Sequence, residues 1–99
     1  MILEKFTKQP RDVKDYDVTY GDWLAVSGDT IRTVTATVEC LSDTTNTSLV
    51  CDAIEWTQTF VKFWVSGGTS PHKYKLTFLV QTAGARSDEC ELIFNVKEV

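Results

Sequence analysis

Hydrophobic and polar residues alternate with a period of two through several stretches of this chain, and residues that favour turns bound each stretch. From Thr33 to Cys40, Val34, Ala36, Val38 and Cys40 share one face while Thr33, Thr35, Thr37 and Glu39 share the other. That is the signature of a strand with one side on a core and one side in water. Tyr74, Leu76, Phe78 and Val80 alternate in the same way with Lys73, Lys75, Thr77 and Gln81, and Leu79 is the misfit. Near the end, Cys90, Leu92, Phe94 and Val96 oppose Glu89, Glu91, Asn95 and Lys97. The connection from Thr82 to Asp88 has the length and glycine content of a hairpin loop, so these last two strands are expected to pair antiparallel.

A further strand runs from Phe60 to Ser66, with Val61, Phe63 and Val65 on one face and Phe60, Lys62 and Trp64 on the other. Both faces are apolar, so each needs a cover: an intrachain loop or a partner. Gly67 and Gly68 end this strand, and two adjacent glycines permit the positive φ of a tight turn into the next one. Asp17 to Tyr20 and Leu49 to Ile54 look like short strands, Leu41 to Ser48 is a polar, Thr-rich loop, and Gly28-Asp29-Thr30 opens the strand from Ile31 to Cys40. Helical periodicity is essentially absent. About six or seven short strands separated by polar turns predict an all-β fold, an antiparallel β-sandwich, with a small barrel as the alternative. Residues 1–13 alternate poorly, contain Pro10, and carry Ile2, Leu3 and Phe6. They are expected to form an extended N-terminal docking arm ahead of a single sandwich domain over residues 14–99.

With 99 residues, there is room for one core. Hydrophobic residues make up 42% and charged residues 24%, a globular rather than a disordered composition. The formal charge is −4, which removes the usual electrostatic drive toward nucleic acid phosphates. No stretch approaches the ~20 apolar residues of a membrane helix, and the start MILEKFTKQP lacks the apolar region of a secretion signal. No nucleic acid or membrane partner is expected, and the protein is expected to be made in the cytoplasm and kept there unless it leaves inside a larger assembly. Cys40, Cys51 and Cys90 cannot all pair within the chain and show no metal-ligand spacing, so they are expected to be reduced and to act as small apolar side chains.

Candidate chemistry is sparse. The one histidine, His72, follows Pro71 in a turn, and no nucleophile elbow or phosphate loop precedes a helix. Asp12, Asp15, Asp17 and Asp22 crowd one stretch and have oxygen ligands of the kind Ca²⁺ prefers, but they lack the EF-hand spacing and read as solvated charge. No enzyme activity, cofactor or metal is expected. Trp23, Trp56 and Trp64 are costly to leave in water and so mark either a core or a contact surface.

Taken in order, Asp15-Tyr16-Asp17-Val18, Gly21-Asp22-Trp23-Leu24, Asp29-Thr30-Ile31, the run from Val61 to Thr69, Tyr74, and the run from Thr82 to Glu89 resemble the phage-fibre-like family of small tailed-phage virion proteins. The resemblance spans residues 8 to 96. It departs at Ser70-Pro71-His72, where members usually carry glycine, and at Ala85, an extra residue between Gly84 and Arg86.

The resemblance implies an immunoglobulin-like sandwich belonging to the virion, with Tyr16, Trp23, Gly67, Gly68, Tyr74, Gly84 and Arg86 as turn and core residues. Arg86 is expected to pair with Asp88, Glu89 or another nearby carboxylate. The function implied is a multi-copy structural module, a capsid decoration or a neck or fibre component, that binds other capsid, neck or tail subunits or further copies of itself. Ile2, Leu3, Phe6, Phe60 and Trp64 are the candidate partner-binding residues. The alternative is a host-surface module that stacks exposed aromatic rings on carbohydrate.

Overall fold

A computed structural model of the chain describes residues 2–25 and 28–98, and for Ile2, Leu3, Asp22 and Trp23 it describes the backbone alone. The elements are β1 (Ile2–Lys8), β2 (Lys14–Thr19), a one-turn helix α1 (Gly21–Ala25), β3 (Ile31–Cys40), β4 (Leu49–Trp56), β5 (Phe60–Gly67), β6 (Lys73–Thr82) and β7 (Ser87–Val96). Two sheets face each other. The first has the order β1-β7-β6-β3, the second β2-β5-β4. The orders β7-β6-β3 and β2-β5-β4 are those of the G-F-C and B-E-D strands of an immunoglobulin-like sandwich.

All pairs are antiparallel except one, because β1 runs parallel to β7. The segment set apart as a docking arm is, over residues 2–8, the edge strand of the larger sheet. Phe6 lies against Phe94 at a centroid distance of 5.1 Å and against Tyr16 at 4.7 Å. Lys8 hid the strand from sequence reading, since a charged residue stands where the alternation wants an apolar one. Its side chain is buried, and Nζ donates to the carbonyls of Gln9 at 2.8 Å and Gly67 at 2.6 Å.

The inward faces are the expected ones. Tyr74, Leu76, Phe78 and Val80 of β6 pack with Cys90, Leu92, Phe94 and Val96 of β7 against Val61, Phe63 and Val65 of β5. An aromatic chain joins the layers: Tyr16 stacks on Phe63 at 5.7 Å and meets Phe94 edge-on at 5.4 Å, and Phe63 meets Phe78 at 4.7 Å. Each fully buried Phe contributes ~1.5–3 kcal/mol of transfer free energy. The geometry of each ring pair adds ~0.5–1.5 kcal/mol.

One element differs from expectation, the short helix between β2 and β3. Five residues of helix are too few for any periodicity to register, and so α1 went unseen. The Gly67-Gly68 turn has the expected positive φ and carries the chain from β5 in the second sheet to β6 in the first. Gly67 has φ 73° and Gly68 has φ 90°, and a Cβ on Gly67 would collide with the Ser48 carbonyl oxygen.

Candidate functional site

His72 Nδ1 is hydrogen-bonded to Ser42 Oγ at 3.0 Å. The three cysteines are free. Burial, helped by the neighbouring Asp52, pushes the Cys51 thiol up to about 12. Burial also raises Cys90, whose sulfur lies 2.8 Å from the Tyr20 hydroxyl. Such thiols stay protonated and make poor nucleophiles. Among the described residues no group of three or more His, Cys, Asp and Glu is placed to hold a metal ion, and no helix is long and apolar enough to cross a membrane. Asp12 pairs with Lys14 at 3.6 Å and Asp15 with Lys62 at 3.3 Å.

The outer face of the second sheet is different in character. Strand β5 turns Val61, Phe63 and Val65 inward, all fully buried, so period-two geometry turns Phe60, Lys62 and Trp64 outward. No loop of the described chain closes over Trp64, which keeps 38% of its surface exposed. In the ladder Trp64 stands between Asp15 of β2 and Asp52 of β4, and Lys62 stands between Asp17 and Glu55. The face therefore sets aromatic rings among four carboxylates, Asp15, Asp17, Asp52 and Glu55, around the single Lys62.

Trp56 stands at the edge of this sheet, where an irregularity sets it opposite the inward Val61 rather than in phase with Trp64. β4 is bulged between Asp52 and Glu55, and Ala53 has φ 49°. Beyond the bulge Trp56 is 41% exposed, and with Phe60, Glu55, Thr57 and Lys62 it lines a shallow groove of about 160 Å³. Val50, also exposed, lies opposite Ser66 on the same face. Of the candidate binding residues, the structure brings together Phe60 and Trp64. It turns Phe6 into the core, and the side chains of Ile2 and Leu3 lie outside those described. Sequence reading marked Trp56 as core or contact surface without placing it, and it did not set Asp15, Asp17, Asp52 and Glu55 around Trp64 and Lys62; only the register across three strands assembles them.

The outer face of the first sheet is polar by comparison. Thr35 and Thr37 are exposed, and Lys75 bridges Glu91 at 3.2 Å and Glu39 at 3.7 Å.

The residues read as turn and core formers take clear positions, except for the Trp23 side chain, which is among those not described. Tyr16 is half-buried among Phe6, Phe63 and Phe94. Tyr74 is fully buried, and its hydroxyl donates to Asn46 Oδ1 and accepts from the Thr69 N–H, both at 3.0 Å. Arg86 pairs with a carboxylate, that of Asp29, at 3.1 Å. Gly84 donates its N–H to Asp29 Oδ1 at 2.8 Å, and a Cβ there would come within 2.8 Å of Oδ2. Positive φ falls instead on the extra residue, Ala85, at 63°.

No curated protein matches the chain. A family model described as podophage GP4 fiber-tail adaptor protein gp77 matches residues 8–95, from the last residue of β1 nearly to the end of β7. The match agrees with the resemblance to virion proteins drawn from the ordered motifs, and it covers both sheets. This chain belongs to the podophage GP4 fiber-tail adaptor gp77 family and is a structural component of a phage virion.

Proposed function

We propose that the chain is an adaptor that holds tail and fibre subunits together, and that the outer face of β2-β5-β4 is one of its docking surfaces. The observation that carries this reading is Trp64, exposed in the middle of a sheet between Asp15 and Asp52. An indole ringed by charge and open to solvent has the makeup of an interface anchor, because Trp is enriched among residues that dominate binding energy. The acidic surround suits a basic partner surface, speeding encounter and rejecting acidic competitors. The family description favours the tail-and-fibre side of the sequence alternatives over capsid decoration.

Deleting the protein from the phage tests the reading. Particles assembled without it are expected to have filled heads and to lack fibres, counted by negative-stain electron microscopy. Fibres present in normal number on heads that break at lower temperature would point to capsid decoration instead.

A second reading rests on the same rings. Trp64 and Phe60 share one face of β5, Trp56 lines the groove beside Phe60 at the sheet edge, and aromatic faces stack on sugar C–H groups as readily as on protein. A glycan array distinguishes the two: specific glycan binding that is lost with Trp64→Ala supports carbohydrate recognition, and its absence supports protein docking.

A further inference from the structure

Two sheets leave four edge strands, and three of them carry features that discourage pairing with another chain. β1 is bulged between Ile2 and Glu4 and bears Glu4, Lys5 and Lys8. β2 is six residues long and bears Lys14, Asp15 and Asp17. β4 is bulged between Asp52 and Glu55. β3 has ten residues, its irregularity lies at Ile31/Thr33, and its charges, Arg32 and Glu39, stand near its ends. Between them Thr33-Val34-Thr35-Ala36-Thr37-Val38 contains no charge, no proline and no glycine. Such a segment on an open edge is the composition most ready to accept another strand.

The register says which backbone groups face that edge. The Leu41 N–H donates to the Lys73 carbonyl at 2.8 Å. In an antiparallel ladder bonded and non-bonded pairs alternate, so the odd-numbered residues of β3 exchange bonds with β6. Val34, Ala36 and Val38 then turn their N–H and C=O groups to the open side. The far side of β6 keeps the complementary rhythm, since Thr82 donates to Arg86 at 2.8 Å and Val96 to His72 at 2.9 Å. Among the described residues no strand but β6 pairs with β3.

We propose that β3 pairs antiparallel with β3 of a second copy of this chain, joining the two larger sheets edge to edge across a twofold axis. The segment is complementary to itself. A pairing that keeps core-facing residues on one side sets Ala36 opposite Ala36, Val34 opposite Val38, and Thr35 opposite Thr37, with Glu39 facing Thr33 and no like charges opposed. Thr–Thr and Val–Val are favourable cross-strand pairs. The same operation on β2, centred on Tyr16, sets Asp15 against Asp17, a like-charge pair. Pairing also covers Ala36 and Val38, which are only half-buried in one copy. The dimer stands independently of the tail-and-fibre reading and leaves the Trp64 face open.

Sedimentation equilibrium on the full chain tests this. The expected species has twice the 11.2 kDa chain mass. Ala36→Pro removes an N–H that points to the open edge and not to β6, which an edge strand tolerates. The double variant Thr35→Lys/Thr37→Lys changes only outward side chains and sets lysines of the two copies against each other. Both variants are expected to weaken association at least tenfold with an unchanged circular dichroism spectrum, and the lysine variant decides the matter if the proline variant unfolds. A wild-type chain that stays monomeric up to about 1 mM, or a folded lysine variant that dimerises as tightly as wild type, would overturn the proposal. So would capture of a different virion protein's strand at this edge in place of a second copy.

Discussion

Arg86 donates from Nε to Oδ2 of Asp29 at 3.1 Å, tying the β6–β7 hairpin to the turn that opens β3 across a separation of 57 residues. The other carboxylate oxygen of Asp29 accepts from the Gly84 N–H at 2.8 Å and the Thr30 N–H at 2.9 Å. The Thr82 hydroxyl, first among these donors, and then the backbone N–H groups and Arg86 hold the Asp29 carboxyl well below the usual carboxylate range. A native pKa below the unfolded value of about 3.9 fixes the sign. The stabilisation is fully present above that value and is lost as the pH falls toward the native pKa.

Asp29→Asn is therefore expected to lower the melting temperature at pH 7 by roughly 5 °C or more. It should also flatten the loss of stability between about pH 4 and pH 2. Thermal melts of both proteins at a series of pH values check this, and parallel curves would contradict it.

Ala85, at φ 63°, adopts a backbone conformation that costs an L-residue with a Cβ roughly 1 kcal/mol. Glycine removes that cost and loses about half of it to chain entropy. Ala85→Gly is expected to raise the melting temperature by about 2–4 °C, measured by calorimetry, whereas Ala85→Val should lower it.

Phe6 and Lys8 make β1 an integral part of the sandwich. Phe6→Ala is expected to cost about 2 kcal/mol, less than a fully buried Phe because the ring is half-buried. Lys8→Met removes the donor to the half-buried Gly67 carbonyl, costing about 1 kcal/mol. Urea titrations give both values. A chain lacking residues 1–8 that retained full stability would contradict the placement of β1.

Tyr74→Phe keeps the buried ring and deletes the hydroxyl that joins Asn46, Ser48 and Thr69. The expected loss is about 1–2 kcal/mol. Hydrogen exchange should accelerate at the Thr69 amide, and unchanged protection there would show that the network does not hold the turn.

Much of this architecture was legible in the residues. β3, β6 and β7 alternate, with Leu79 and Ile93 as exceptions, because each has one face on the core, and alternation is what a half-buried strand imposes. β1 escaped because its inward set includes Lys8, whose ammonium is met by the adjoining Gln9 and Pro10 carbonyls and by the distant Gly67 carbonyl. The Phe60 and Trp64 face was visible because a strand apolar on both sides needs two covers. Its acidic surround was not, since Asp15 and Asp52 meet Trp64 only through the register of three strands. Trp56 was conspicuous as an aromatic, but the bulge at Ala53 shifts the period of β4 and sets it opposite Val61 rather than in phase with Asp52. Arg86 and Asp29 were each conspicuous, and no local signal could pair them over so long a separation.

Trp64 carries the account of function, and its outward position means that truncation should cost the fold less than about 1 kcal/mol. Quantitative mass spectrometry of purified particles, produced with wild-type or Trp64→Ala protein, tests that account most directly. The expected result is a wild-type protein present in every preparation and a folded Trp64→Ala variant depleted at least tenfold. Absence of the wild-type protein from intact particles, or incorporation of the variant at wild-type level, would contradict it.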